Sequence, residues 1–523
     1  MSLLERNILA NYGGKTVTAL IGFAVVPVYL KYVGVEAYGL ISFFISLQAV
    51  IAVLDIGLSS ASNRETGLIS VTNSRIDKTR HLLRTMESIY YGVAIFIFIV
   101  FSLSSDFLAY QWLQSKEIAP DTIKQCVYLA GATIALRWPI SLYSGILLGT
   151  EKHVLFNSIS TIIAIVRAIG SVLVVIFLSS PLVSFYMWQG CVSFLELIIM
   201  FAITWRILGG ICPFENIFDV AIFKNVWRFS MGIAGITVCA MFLKQTDKLI
   251  ISKMLPLDQL GYYNTAYLLS TGMLLVFQPV QSAVFPRFTK LFAKGDTDQL
   301  SVTFHRTAQM VAVLASPAAC IMAFFSKEIL LLWTQSEIVA VNASMPLSLL
   351  GFAALFNAMM GIPFILQLAT GITWLPLYNN SIALLVITPL IYFFVVNFGI
   401  WGGALAWLIY NILYFTILPY FMFRYVLIGQ KRHWYFVDTI PFMILALVIF
   451  YVVRLICNMQ ANPILQLTLV ILGTSMYFIV GVLFSKTLRS YLFSFFPLEK
   501  YPAPIHEGPI EPASGESDNR SPK

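Results

Sequence analysis

Apolar runs of about 20 residues recur almost from one end of the chain to the other, each long enough to cross a bilayer's hydrocarbon core as a helix. Length and hydropathy place spans at 8–30, 36–58, 82–104, 125–148, 154–178, 183–205, 226–252, 259–285, 307–329, 345–369, 377–397, 402–423, 438–457 and 464–484. The runs are continuously apolar. Barrel strands would instead alternate apolar and polar residues over about ten positions, so helices are predicted. The expected fold class is an all-α polytopic membrane protein with about 14 transmembrane helices.

A repeat emerges when the chain is shifted on itself by 222 positions (261 minus 39). Lys31 then meets Lys253, Gly39 meets Gly261, Ser60 meets Ser282, Ala61 meets Ala283, Gly149 meets Gly371 and Asn157 meets Asn379. One shift also superimposes six consecutive predicted spans. This predicts two parallel six-helix lobes, an N-lobe over 1–210 and a C-lobe over 211–432, as in carriers whose halves rock about a central site. Two extra C-terminal helices occupy 433–490. The Pro-rich, charged stretch 491–523 reads as a disordered cytoplasmic tail.

Composition agrees with a lipid solvent: the 523 residues are 59% hydrophobic and 11% charged, against about 25% charged in soluble domains. The net charge of +8 does not point to nucleic acid, because the basic residues form no single stripe. They lie between the apolar runs. Placing the turn 31–35 outside puts about 22 Lys and Arg in inner segments and about six in outer ones, so both termini are expected in the cytoplasm. The richest inner segments carry Arg64, Arg75, Lys78, Arg80 and Arg84, then Arg287, Lys290, Lys294 and Arg306, then Arg424, Lys431 and Arg432, read as topological anchors. The first run has no A-x-A-like end and reads as a retained helix, not a cleaved signal peptide.

No catalytic or metal motif is found. The six cysteines are widely separated, and His81, His153, His305, His433 and His506 are scattered without metal-ligand spacing, so no metal and no cofactor are expected. Gly13-Gly14-Lys15-Thr16 lacks the leading glycine and strand of a P-loop and reads as a small-residue packing patch. The outer loop near Ser105 to Lys124 is too small for an enzyme domain.

Charges inside the spans are costly and usually face a wet cavity or a partner. Lys15, Arg137 and Arg167 stand near the middle of their spans, three unpaired cations in one lobe, which exceeds what packing needs. They are read as a cationic cavity for an anionic substrate, with interhelical pairing or snorkelling as the alternative. Lys244, Asp247 and Lys248 share one helix face, Lys244 as a cavity candidate and Asp247 with Lys248 as a local charge pair. Asp55 is assigned to hydrogen bonding with nearby backbone or inner-loop arginines. Glu196 is either a satisfied helix contact or a proton or sodium carrier. Pro27, Pro139, Pro279, Pro317, Pro363 and Pro389 fall inside spans, where kinks can serve as hinges.

The segments Val33-Gly34-Val35-Glu36-Ala37-Tyr38-Gly39, Leu54-Asp55-Ile56-Gly57-Leu58, Thr246-Asp247-Lys248-Leu249-Ile250-Ile251 and Leu260-Gly261-Tyr262-Tyr263, in this order, resemble the polysaccharide-transporter branch of the MOP flippases, the Wzx-type exporters. The resemblance spans roughly residues 1 to 425. It implies a flippase of the bacterial inner membrane for an undecaprenyl-pyrophosphate-linked oligosaccharide, used in O-antigen, capsule or exopolysaccharide assembly. Proton or sodium coupling, or the membrane potential alone, would drive it, with a polysaccharide polymerase or chain-length regulator as a candidate partner. A lipid-II flippase or a drug or metabolite antiporter of the same superfamily is the nearer alternative. A membrane sugar polymerase or acyltransferase is the alternative from another class.

Overall fold

The structure is a computed structural model that describes residues 3–55, 57–69, 75–210, 219, 238–275, 277–460, 462–484 and 489. The tail 491–523 and, but for 219, the start of the expected C-lobe through 237 lie outside the described residues. In chain order the helices are α1 Leu3–Tyr32, α2 Val35–Ala52, α3 Leu58–Ile69, α4 Arg75–Phe107, α5 Pro120–Gly149, α6 His153–Phe177 and α7 Pro181–Ile207. Next come α8 over 238–254, α9 Leu257–Leu275, α10 Gln278–Ala293, α11 Thr297–Phe324, α12 Ser326–Thr334, α13 Glu337–Ala369, α14 Trp374–Phe398 and α15 Ile400–Tyr425. The short α16 Lys431–His433 runs through a π-helical stretch, Trp434–Thr439, into α17 Ile440–Asn458, and α18 Pro463–Phe484 closes the order.

Among the described residues the fold is therefore all-helical, as its hydropathy predicts. Ten described helical spans are long and apolar enough to cross a membrane, eleven if the bent pair α9–α10 is one span. The expected fourteen also included α1, α5 and 226–252. Of these, 226–237 falls outside the described residues, while the 30-residue α5 carries Lys124 and Arg137.

Two expected spans are broken. Span 36–58 ends as α2, a 3-10 turn Val53–Asp55 and then α3. Gly57 makes the corner at φ 72°, a left-handed conformation that costs glycine little. Span 259–285 breaks between α9 and α10 with a 41° bend, and Pro279 starts the second piece, where its missing N–H is harmless. Hydropathy averaged over about 19 residues does not resolve a corner of only a few residues.

Element ends recur at the sequence offset. Tyr32 ends α1 and residue 254 ends α8; Val35 opens α2 and Leu257 opens α9; Arg75 opens α4 and Thr297 opens α11. Neighbour relations recur too: α4 packs on α5 and α5 on α7, while α11 packs on α13 and α13 on α15. The appended α17 packs on α11, and α18 lies on α17. Along α18, Ile464, Leu467, Ile471, Leu472, Met476, Ile479 and Leu483 are exposed, an apolar face suited to lipid.

One buried core joins α1, α2 and α4–α7 to α8, α9 and the first halves of α13 and α15. A second gathers α10, α11, the later parts of α13 and α15, and α17. The first core crosses between the halves where α2 and α9 begin. A Cβ built on Gly39 would sit 2.0 Å from Leu257 O, and one on Gly261 would sit 2.4 Å from Val35 O. Gly39 and Gly261 are equivalent under the 222-residue shift, as are Val35 and Leu257. The crossing is thus a reciprocal small-residue contact, and only glycine lets the two backbones approach this closely.

Candidate functional site

Around that crossing the two halves are stitched by polar contacts. Asn264 Nδ2 donates to Tyr38 OH at 3.2 Å and to Ser42 Oγ at 2.8 Å. Trp112 Nε1 donates to Ser252 Oγ at 3.2 Å, Lys253 Nζ to Gln111 O at 2.6 Å and Leu257 N to Gln114 O at 2.9 Å. Lys116 pairs with Asp258 at 3.0 Å, a contact that raises the lysine's pKa chiefly through this hydrogen bond. Beneath it, buried Glu36 accepts from Lys116 N at 2.8 Å, Glu117 N at 3.1 Å and the Ser115 hydroxyl, fixing the 113–119 loop on α2. Sequence reasoning passed over Glu36 because it sits at a helix start, where an acid is ordinary.

Inside the first half, Arg137, Arg167 and Glu196 come together from α5, α6 and α7. Arg167 Nη2 pairs with Glu196 Oε2 at 2.7 Å, and its Nη1 reaches Gln189 Oε1 and Ser193 Oγ, each at 3.0 Å. Trp188 Nε1 caps the Arg167 carbonyl at 3.1 Å. This corrects the expectation of three unpaired cations: Arg167 is neutralised by Glu196 from the adjacent helix, the arrangement low-dielectric burial demands. Arg137 stands within electrostatic reach of both groups. Its side chain donates to Gln48 Oε1 over a long 3.4 Å. The cluster holds two cations and one anion, and Arg137 is its available donor. The Lys15 side chain lies outside the described residues.

Asp55 stays apart from this cluster. Its carboxylate accepts from Tyr90 OH and, at 3.3 Å, from Ser59 N, so it clamps the α2–α3 corner through backbone and a phenol rather than an arginine. A buried carboxylate that the sequence did not single out is Glu87. It accepts from Tyr143 OH and Trp205 Nε1 at 2.8 Å each and pairs with Arg84 at 3.2 Å.

In the second half Asp247 is fully buried and accepts from Tyr263 OH at 2.6 Å and Trp407 Nε1 at 2.9 Å. The carboxylate is thus held across helices, in place of the expected charge pair with Lys248. Lys248 Nζ lies 3.6 Å from the Tyr267 ring centroid and 3.3 Å from Gln245 Oε1. Lys244, one turn away, lines a cavity of about 290 Å³ between α8, α9, α13, α14 and α15. Asn357, Asn380 and Asn411 supply amides to its wall, and Tyr267, Trp407, Tyr410 and Tyr414 supply rings. Asn357 Nδ2 donates to Asn411 Oδ1 at 3.0 Å, and Tyr410 stacks on Tyr414 at 12° between planes. Aromatic walls with a few placed polar groups are the usual make-up of a small-molecule pocket.

The histidines expected to be scattered are not all so. His305 and His433, 128 positions apart, meet beside buried Asp438. Linear spacing could not reveal this, because the contact is made by the folding of α16–α17 onto α11.

The polysaccharide biosynthesis protein family matches residues 4–292, more than half of the chain. The chain belongs to that family. A second family, MatE, matches residues 233–393. A curated relative from Shigella flexneri, named as an O-antigen transporter, is 22% identical over 424 residues, covering 81% of this chain and 98% of the relative. Among solved structures, the lipid II flippase MurJ in an inward closed conformation superposes with a TM-score of 0.70 at 16% identity, covering 94% of this chain and 100% of MurJ. An inward-facing multidrug resistance MATE transporter of the MOP superfamily gives 0.64 at 11% identity, covering 81% and 96%. An outward-facing MATE structure gives 0.50. The family member described here therefore has the MOP transporter fold, and the resemblance read from the sequence motifs holds. Its apolar helices make it a multi-pass membrane protein.

Proposed function

We propose that this family member flips an undecaprenyl-pyrophosphate-linked oligosaccharide repeat from the inner to the outer leaflet of a bacterial cytoplasmic membrane, for O-antigen, capsule or exopolysaccharide assembly. The observation that carries the reading is the pairing of two interior surfaces. One is the cluster of Arg137 with Arg167–Glu196, which offers the Arg137 guanidinium, held only by a long hydrogen bond to Gln48, to phosphate oxygens. The other is the cavity of Lys244, three asparagines and four aromatic rings, chemistry that hydrogen-bonds sugar hydroxyls and stacks on sugar C–H faces. The relative's name and the family assignment support the same substrate class.

The mechanism is alternating access by two lobes, 1–210 and 211–432, with both termini in the cytoplasm and the α2–α9 crossing as the outer gate. That gate is shut in this conformation, and the better superposition on inward-facing carriers supports the assignment. The corners at Gly57 and between α9 and α10 are natural hinges, since each joins two rigid helices across a few residues. Pyrophosphate carries about two negative charges, and each is worth about 2.3 kcal/mol per 100 mV, so outward movement driven by an inside-negative potential gains roughly 4 to 5 kcal/mol. The interior cations reduce that gain and assist return of the empty carrier. Glu196 and Asp247 are the candidates for proton or sodium coupling. A catalytic role, as a polymerase or acyltransferase, finds no support in the arrangement of these groups.

The test is complementation of a strain lacking the gene. Arg137→Ala, with membrane abundance matched, is expected to abolish surface polysaccharide while the lipid-linked repeat accumulates. Normal surface polysaccharide would refute the cationic assignment.

A further inference from the structure

At one end of the second half, the structure gathers three ligand-type side chains that the transport reading does not use. His305 lies on α11, His433 ends α16, and Asp438 belongs to the π-helical stretch Trp434–Thr439. Their ligand atoms all lie within 4.8 Å of one another. His305 Nδ1 is 2.5 Å from Asp438 Oδ2, His433 Nε2 is 3.9 Å from Asp438 Oδ1, and the imidazole centroids are 4.4 Å apart. We propose that His305, His433 and Asp438 form a binding site for a divalent transition ion of the zinc class, which ties α11 to the appended helices.

Four features converge on this assignment. The first is the backbone: an i→i+5 turn is wider than an α-turn and is found mostly at functional sites, and here it sets His433 and Asp438 against each other. Charge is the second. The Asp438 side chain is only 3% exposed, and the ionisable side chains that reach its carboxylate among the described residues are these two imidazoles. A buried carboxylate requires such compensation.

Third, His305 Nε2 is 3.2 Å from Gln430 Oε1. A ring N–H donated to that amide oxygen leaves Nδ1 as the ligand nitrogen, the outer partner that ligating histidines generally have. The fourth feature is span. Zinc sits about 2.0–2.2 Å from imidazole nitrogen and carboxylate oxygen, so two ligands of one tetrahedral ion stand roughly 3.4 Å apart. The His433–Asp438 separation of 3.9 Å lies within about 0.5 Å of this spacing, a small adjustment for a half-exposed imidazole. The 2.5 Å His305–Asp438 contact is closer than two ligands of one ion, so this pair would open by about 1 Å around the metal.

Two imidazoles with one carboxylate favour zinc, cobalt or nickel over magnesium or calcium, which prefer all-oxygen cages. His433 is half-exposed and opens the site to solvent, leaving the fourth position to water. Because the ligands come from α11 and from the segment entering α17, the bound ion would brace the C-terminal helices on the C-lobe.

The test is Zn²⁺ titration of the full-length, tag-cleaved protein in detergent after chelator treatment, by calorimetry and by thermal melting. The expected result is one Zn²⁺ per chain with a raised melting temperature, and no response to Mg²⁺. His433→Ala, a half-exposed position that the fold tolerates, is expected to lower Zn²⁺ affinity about tenfold or more. Asp438→Asn, which preserves shape, should do the same. Absence of Zn²⁺ uptake by the wild-type chain, or equal affinity in a well-folded His433→Ala, would overturn the proposal. Neither readout depends on transport.

Discussion

Replacing Gly39 with alanine puts the account of the outer gate to a quantitative test. The added Cβ would lie 2.0 Å from Leu257 O and 2.9 Å from Leu257 C, both backbone atoms at the start of α9. Ordinary contacts begin near 3.4 Å, so one helix must retreat by more than 1 Å. Overpacking of this sort costs about 1–3 kcal/mol. Here the strain exists only while the gate is shut, so the closed state should lose population relative to the open one by about 5- to 150-fold. Pulsed electron spin resonance between labels at Glu117→Cys and Gln259→Cys, on a background lacking the native cysteines, reads that equilibrium directly. The expected outcome is growth of a long-distance population in Gly39→Ala and also in Gly261→Ala, whose Cβ would meet Val35 O at 2.4 Å. Gly92→Ala has open space around its Cβ and serves as the control. Distances unchanged in both crossing variants would show that the crossing is not the element that moves.

Three further outcomes follow from the buried contacts. Arg167→Ala strands the Glu196 carboxylate and should destabilise the protein by about 3–5 kcal/mol. Arg167→Ala with Glu196→Gln should recover much of that loss, and a double-mutant cycle in chemical denaturation measures the coupling. Glu87→Ala removes the acceptor of Tyr143 and Trp205 together, and should cost about 2–5 kcal/mol in the same assay. Tyr410→Ala combined with Asn411→Ala strips one wall of the cavity. It should lower export of the sugar repeat at matched membrane abundance, and unimpaired export would remove this cavity from the substrate path.

The helical spans were legible because hydrophobic length is dictated by the bilayer, independently of which helix packs on which. The repeat was legible for a related reason: Gly39 and Gly261 face the same packing demand at the same crossing. Pairings across helices were not. Arg167 and Glu196 are 29 positions apart, and nothing in their spacing distinguishes a partner from a second isolated charge. Asp247 and Lys248 share a helix face, which suggested a pair, but a phenol and an indole from other helices reach the carboxylate first. The broken spans escaped detection because hydropathy averages over about 19 residues, while a corner such as 53–57 occupies only a few. His305, His433 and Asp438 were unreadable for the most basic reason: their proximity exists only once α17 has packed on α11.

The measurement closest to the central claim is flipping in proteoliposomes. Purified protein is reconstituted with an undecaprenyl-pyrophosphate oligosaccharide, and a membrane-impermeant glycosidase reports the fraction of sugar reaching the outer leaflet. The account predicts protein-dependent exposure of the sugar, faster under a potential that is negative on the side of origin and reduced by Arg137→Ala. Exposure no faster than in protein-free liposomes, or equal rates for wild type and Arg137→Ala, would contradict it.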